Sequence, residues 1–118
     1  MRPTFPELQP RLRFPHAGPH GFGPGKADLL SFIAATGSIR TAATELGMSY
    51  QRAWSLVREM NGLFHEPLVS VLRGGQTGGG AVLTILGEEV LTRYRRMEEA
   101  CHEATKPDWQ ALQNLLRK

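Results

Sequence analysis

The chain has 118 residues, of which 41% are hydrophobic and 21% are charged, as in an ordinary soluble single domain. Its formal net charge of +3 suits a polyanionic partner without demanding one, because net charge governs association and not fold. The single cysteine, Cys101, excludes an internal disulfide. Neither a signal-peptide stretch nor an apolar run of about 20 residues occurs, so the sequence predicts a cytoplasmic protein without a membrane segment.

Residues 1–24 hold six of the eight prolines. Proline fixes φ and removes a backbone donor, so this segment is predicted to be mostly extended or irregular. Within it, Arg11–Phe14 alternates polar and apolar residues, which predicts a short strand with Leu12 and Phe14 facing inward. His16 and His20 would suit a metal only on a helix, which the neighbouring prolines oppose, so no metal site is predicted.

A second unit, residues 25–83, is predicted to be organised around Ser38–Phe64, which reads as a short helix, a tight turn and a longer helix. The longer helix has one apolar stripe and an otherwise polar, basic surface, which is typical of a DNA-binding helix-turn-helix. An αα-hairpin in an unrelated bundle is the alternative. A supporting helix begins at Gly25. The residues predicted to end or cap these helices are Gly37, Ser38, Gly47 and Ser49.

Polar side chains are concentrated in the N-terminal half of the longer helix, the half that enters the major groove in helix-turn-helix proteins. Gln and Arg can make bidentate contacts with base edges, so Gln51 and Arg52 are predicted to contact bases. Replacing Arg52 with alanine is then expected to relax the sequence preference. A solvated helix face is the alternative for any one residue. The predicted DNA contacts on the two helices are Arg40, Thr41, Ser49, Tyr50, Gln51, Arg52, Ser55 and Arg58.

Two β-prone runs, Leu68–Leu72 and Ala81–Leu83, flank a glycine-rich segment and predict a hairpin, the wing of a winged helix. The segment lacks the GxxxxGK[ST] pattern of nucleotide-binding loops. Its bare backbone N–H groups and its arginine can approach phosphates, although a simple hairpin tip is the alternative. The DNA contacts predicted here are Arg73, Gly75, Gln76 and Thr77.

The C-terminal unit, residues 84–118, is predicted to contain a long helix capped by Thr84, a break at Pro107, and a last helix capped by Asp108. Charged residues on the long helix, among them Arg95 and Glu98, are interpreted as a solvated or inter-subunit face. The apolar residues exceed what one small domain covers, which predicts a homodimer. The predicted interface residues are Leu86, Val90, Tyr94, Met97, Cys101, Trp109, Leu112, Leu115 and Leu116.

Two stretches resemble a known family. The run GSIRTAATELGMSYQRAWSLVREMN, followed by GGQTGGGAVLTILGEEVL, resembles the N-terminal DNA-binding domain of ModE-type molybdate-responsive transcription regulators. A looser likeness is to the LysR-type N-terminal domain. The MSYxxAW, EMN and GGGAxLTxxG elements are the most specific, and the likeness covers roughly Pro24 to Tyr94. It implies a recognition helix at Ser49–Asn61, a wing at Arg73–Ala81, and a bacterial homodimer on palindromic promoter DNA.

ModE-type regulators also carry C-terminal domains that bind the oxyanion molybdate. This sequence ends at Lys118, so it is not expected to contain such domains. The resemblance therefore implies DNA binding, while molybdate is not expected to bind this chain.

The predicted fold is mainly α with a small β-hairpin: a winged helix-turn-helix followed by C-terminal dimerisation helices. No carboxylate pair, no nucleophile beside a base and no metal-ligand spacing points to an enzyme, so no catalytic residue and no cofactor is predicted. A DNA-binding transcription regulator is the favoured function. The alternative is a winged-helix module that docks proteins without sequence-specific DNA binding, an interpretation kept open by the modest charge of residues 38–80.

Overall fold

The computed structural model describes residues 8–14, 21–72 and 80–117. Three helices are followed by an antiparallel two-stranded hairpin and one long helix, which confirms a mainly α winged helix-turn-helix. None of the described helices is long and apolar enough to cross a membrane. The elements are α1 Pro24–Thr36, α2 Ile39–Leu46, α3 Tyr50–Leu63, β1 Val69–Leu72, β2 Gly80–Leu83 and α4 Ile85–Leu115.

Local sequence signals set the ends of the helices in the helix-turn-helix. Gly37 and Gly47, which follow α1 and α2, both have a φ of 71°, in the left-handed region that favours glycine. The side-chain oxygens of Ser38 and Ser49 each accept a backbone N–H three residues further on, both at 3.0 Å. These observations confirm the predicted turn between α2 and α3 and both serine caps.

The core lies where α1, α2 and α3 meet the first half of α4. The Phe22 ring is fully buried at its centre and meets the Tyr94 ring edge-on, with the ring centroids 5.3 Å apart. The Tyr94 hydroxyl donates to the carbonyl of Leu12, and its side chain is only 2% exposed. Tyr94 therefore belongs to the core of its own protomer, and its assignment to the dimer interface is wrong. Residues distant in sequence, Leu12 and Phe22, cover it.

A β-bridge also holds the described part of the N-terminal segment against this core. Phe14 and Phe22 exchange backbone hydrogen bonds of 3.0 and 3.1 Å, and their rings stack at 5.4 Å. Within the described residues, the strand predicted at Arg11–Phe14 is reduced to this bridge. Leu12 packs against the core as predicted, whereas Phe14 stays 38% exposed because its ring lies on the outer side of Phe22.

The hairpin is attached to the helix-turn-helix by side-chain and backbone hydrogen bonds. The Asn61 carbonyl oxygen accepts the N–H groups of Leu68 at 2.8 Å and Val69 at 3.1 Å, and its amide nitrogen donates to the Val69 carbonyl. On the other strand, the Ala81 N–H donates to the Gly37 carbonyl at 2.9 Å. The wing is therefore fixed both to α3 and to the turn between α1 and α2.

Helix α4 begins at a tight junction with the hairpin. The Thr84 hydroxyl accepts the N–H of Gly87 at 3.0 Å, which confirms the predicted cap, and donates to the Pro67 carbonyl at 2.7 Å. Gly87 lies so close to Leu68 that a Cβ on it would stand 3.0 Å from the Leu68 carbonyl carbon and closer still to the oxygen. Only glycine fits at this crossing.

Helix α4 continues through Pro107, so the predicted break there and the predicted last helix capped by Asp108 are both wrong. Proline removes one N–H donor and its ring crowds the preceding turn, which kinks a helix or breaks it; here the residues on both sides of Pro107 stay helical. The Thr105 hydroxyl, in the preceding turn, donates to the Cys101 carbonyl at 2.8 Å. With 31 residues, α4 extends about 46 Å at ~1.5 Å per residue.

A buried ion-pair network joins α4 to α1. One terminal nitrogen of Arg95 lies 3.0 Å from the Asp28 carboxylate and 2.8 Å from the Ser31 hydroxyl. The other lies 2.9 Å from the Glu98 carboxylate, and Glu98 is only 1% exposed. The interpretation of Arg95 and Glu98 as a solvated or inter-subunit face is therefore wrong. The two charges lie on the side of α4 that packs against α1, where each has an ionic partner.

Candidate nucleic-acid interface

Helix α3 presents a polar face opposite the side that packs into the core. At 3.6 residues per turn, Gln51, Ser55 and Arg58 follow one another along this outer face. Gln51 and Arg58 are exposed, and Ser55 is half-buried. Within the described residues, none of these three side chains makes a hydrogen bond or an ion pair with the protein. Their donors and acceptors are therefore available to an external partner.

An aromatic pair borders this outer face. Tyr50 and Trp54 meet at right angles, with ring centroids 6.2 Å apart, and together with the three polar residues they line a shallow depression. The guanidinium carbon of Arg40, on α2, lies 4.1 Å from the Tyr50 ring centroid. This cation–π contact joins the start of α2 to the start of α3 and holds one positive charge beside the polar face.

Arg52 is directed to the other flank of α3. It lines a cleft of about 300 Å³ between α3 and the segment before α1, together with Arg13, Lys26, Met48 and Glu59. One residue along a helix turns the side chain by about 100°, so Arg52 and Gln51 do not share a face. Gln51 and Arg52, which the sequence predicted would both contact bases, therefore lie on different sides of α3.

The other DNA contacts predicted from the sequence lie at the ends of the helices or outside the described residues. Thr41 is exposed in the first turn of α2, and the Ser49 hydroxyl is occupied in capping α3. The predicted wing residues, Arg73, Gly75, Gln76 and Thr77, lie outside the described residues, as do His16 and His20.

The predicted dimer-interface residues other than Tyr94 fall into two groups. Leu86 and Val90 pack against the core of their own protomer and are half-buried, and Cys101 and Trp109 are also half-buried. The second group is strongly exposed, between 50% and 79% of each residue, and lies in the middle and at the end of α4. We call these residues the α4 apolar surface: Met97, Leu112, Leu115 and Leu116.

Sequence reasoning missed one basic residue beside α3. Arg13 was interpreted only as a polar position of a short strand, yet its guanidinium lies over Gly23 and faces the same cleft as Arg52. The only signal was the alternation in Arg11–Phe14, which placed both arginines on the polar side. Nothing in that pattern indicated which element they would approach.

Comparison with known proteins gives several bacterial relatives. The chain is 46% identical over 76 residues to the molybdenum-pterin-binding protein MopB of Rhodobacter capsulatus, covering 64% of this chain and 28% of the relative. It is 44% identical over 71 residues to the DNA-binding transcriptional dual regulator ModE of Escherichia coli K12, covering 60% and 27%. Over 99 aligned positions it is 38% identical to the molybdenum transport protein ModE of Azotobacter vinelandii, covering 75% and 37%.

The chain is a homologue of ModE-type regulators. This confirms the resemblance predicted from the MSYxxAW and GGGAxLTxxG elements. The chain spans about a third of the length of the ModE-type and Mop relatives it matches, between 27% and 37% for those named. No family model matches the chain. The names of these relatives describe regulators, binding proteins and a transport protein, and none of the names describes an enzyme.

Proposed function

We propose that this chain binds double-stranded DNA sequence-specifically, with α3 in the major groove, and regulates transcription as a homodimer. The observation that supports this most is the outer face of α3, where Gln51, Ser55 and Arg58 have no partner among the described residues. In a helix-turn-helix this face of the second helix meets the base edges. The name of the Escherichia coli relative, a DNA-binding transcriptional regulator, points to the same function.

The geometry suggests a division of roles along the helix-turn-helix. Gln51 and Arg58 carry the donor and acceptor groups that recognise adenine and guanine in the major groove. Arg40 and Thr41, exposed at the start of α2, are proposed to contact the sugar-phosphate backbone, which fixes register without reading sequence. Arg52, on the flank of α3, is assigned here to a phosphate and not to a base.

The first prediction compares two arginines of the same helix. Arg58→Ala should cost about 1–3 kcal/mol on the preferred duplex and flatten the preference among bases, because a bidentate base contact is lost. Arg52→Ala should weaken binding to all duplexes alike. The measurement is fluorescence anisotropy on a site selected from random duplexes and on a scrambled site. Arg96→Ala, an exposed arginine on α4, serves as the control and should change neither value.

The salt dependence of the same titrations separates the two classes of function. Phosphate contacts release counterions, so the logarithm of the affinity should fall linearly with the logarithm of the salt concentration. Absence of salt-dependent binding to any duplex would exclude the proposal and favour the protein-docking alternative. Adding molybdate to these titrations tests the expectation that it does not bind this chain; the affinity for DNA should stay unchanged.

The proposed homodimer rests on the α4 apolar surface. Exposed apolar patches of this kind on a small domain usually mark an interface. Pairing two copies through the end of α4 would cover the exposed leucines and present two recognition helices to one side of the duplex. A spacing of about 34 Å, one turn of DNA, or a multiple of it would fit a palindromic site.

The second prediction tests this pairing with a charge on the α4 apolar surface. Leu115 is 79% exposed, so Leu115→Glu should leave the protomer folded while making the dimer dissociate and weakening binding to a site with two half-sites. Sedimentation equilibrium and circular dichroism measure the two effects. Ile85→Glu is a matched control, because Ile85 is 87% exposed at the other end of the same helix. A monomeric unmodified chain at tens of micromolar would contradict the pairing.

A further inference from the structure

We infer that Arg13, in the segment before α1, contacts a phosphate of the same duplex that α3 reads. The inference rests on the proposed DNA binding and adds a contact from outside the helix-turn-helix. It starts from the cleft beside α3, whose rim carries the exposed arginines Arg13 and Arg52. Two guanidinium groups on one cleft form a site for a phosphate oxygen, which arginine binds through its planar fork of donors.

Contacts with the rest of the fold fix the position of Arg13. The bridge between Phe14 and Phe22 holds the neighbouring backbone, and the Leu12 carbonyl accepts the Tyr94 hydroxyl. The Arg13 side chain then crosses Gly23, where a Cβ would lie 3.3 Å from its guanidinium carbon. A side chain anchored along its stem loses less freedom on binding than a free one, so its charge is well placed for a partner.

The charges that line the cleft leave an excess of positive charge. Lys26 is 7% exposed; its ammonium group lies 3.1 Å from the Glu59 carboxylate, so these two charges largely cancel. Within the described residues, neither Arg13 nor Arg52 forms an ion pair with the protein. Met48 and Leu56 add an apolar contribution to the lining. The cleft thus offers two uncompensated positive charges to a polyanion.

The location of the cleft selects phosphate over bases. A helix with its side chains is about 10–12 Å wide and the major groove about 12 Å, so a helix in the groove almost fills it. Side chains on the flank of the helix then meet the phosphates along the groove wall, while those on the outer face meet the bases. Arg52 is on the flank, about 100° from Gln51, and Arg13 lines the same cleft.

The test replaces Arg13 with glutamine, which keeps most of the stem over Gly23 and removes the charge. We expect affinity for every duplex to fall about two- to five-fold, the scale of an exposed ion pair. The slope of affinity against salt should fall by about 0.9, the value for one phosphate, and the base preference should not change. Arg11→Gln is the matched control, because Arg11 is exposed in the same segment but does not line the cleft.

Duplexes with single neutral methylphosphonates locate the contact. One substitution should weaken binding of the unmodified chain but not of Arg13→Gln, and that phosphate should flank the bases read by α3. An equal effect of Arg11→Gln and Arg13→Gln, or no such phosphate, would overturn the inference while leaving DNA binding intact. The inference would also be overturned if inorganic phosphate saturated the cleft while Arg13→Gln left the affinity for duplexes unchanged. That result would assign the cleft to a free anion. If the unmodified chain bound no duplex at all, that result would instead contradict the proposed function.

Discussion

Replacing Arg95 with alanine should lower the free energy of unfolding by about 3–5 kcal/mol, the usual cost of leaving one member of a buried ion pair without its partner. The side chain of Arg95 is 13% exposed and that of Glu98 only 2%. Without the guanidinium, Glu98 would keep a buried carboxylate whose ionic partner among the described residues is gone. Urea unfolding followed by circular dichroism measures the loss.

A neighbouring arginine supplies the control. Arg93 pairs with Glu89 at 2.8 Å on the same helix, but the two side chains are 68% and 52% exposed. Arg93→Ala should therefore cost less than about 1 kcal/mol. The double replacement Arg95→Met with Glu98→Leu should recover part of the stability, because it removes the Glu98 carboxylate together with its partner; Asp28 still loses its bond to Arg95, so the recovery is incomplete. Equal effects of Arg95→Ala and Arg93→Ala would show that the buried network adds no more stability than an exposed ion pair.

Gly87→Ala is the second large expected effect, a loss of about 3 kcal/mol, at the upper end of what overpacking costs. The added Cβ would overlap the backbone carbonyl of Leu68, which cannot rotate away as a side chain can. The junction between the hairpin and α4 would have to open. For a domain of this size the melting temperature should fall by more than about 10 °C.

Gly62→Ala is the control for this change. Gly62 is also helical, near the end of α3, but a Cβ built on it meets nothing within 4 Å. Alanine there should stabilise the protein by about 0.5–1 kcal/mol, because glycine loses more conformational freedom on folding. Differential scanning calorimetry of both variants checks the pair. If the two substitutions shifted the melting temperature in the same direction, the close approach at Gly87 would not be the cause.

The helix-turn-helix could be predicted from the sequence because its signals are local. Ser38 and Ser49 cap helices through the backbone three residues away, and Gly37 and Gly47 end helices through their own φ. None of these depends on a distant residue. The family resemblance covers the same region, and the relatives confirm the resemblance.

The errors concern contacts between residues that are far apart in the sequence. Arg95 meets Asp28 across 67 positions, and Tyr94 meets Leu12 across 82. Helical spacing places these α4 residues on faces of α4, but it does not tell which face α1 or the N-terminal segment will cover. A charged residue was therefore interpreted as solvated and a core tyrosine as an interface residue. The break predicted at Pro107 failed for another reason: a proline inside a helix kinks it or breaks it, and the sequence does not tell which; α4 stays helical on both sides.

The sequence predicted which helix carries the candidate site, but not which of its residues lie on which face of that helix. The residue types and the helix were evident from the sequence, whereas which of Gln51 and Arg52 lies on the outer face depends on how α3 is rotated about its axis by the core. Arg13 could not be placed at all, because its position depends on the bridge between Phe14 and Phe22. The wing residues, Arg73 to Gly79, remain predictions.

Because α4 continues through Pro107, the helix itself fixes how its C-terminal end is oriented relative to α1. The exposed Leu112 and Leu115 are held at a set angle and distance from Arg95, which is anchored to α1. Each residue inserted between them would turn the leucines by about 100° and advance them by ~1.5 Å, whereas seven residues would nearly restore the angle while adding about 10 Å. The number of residues in α4 therefore sets both the distance and the direction from α3 to any partner bound at the end of α4.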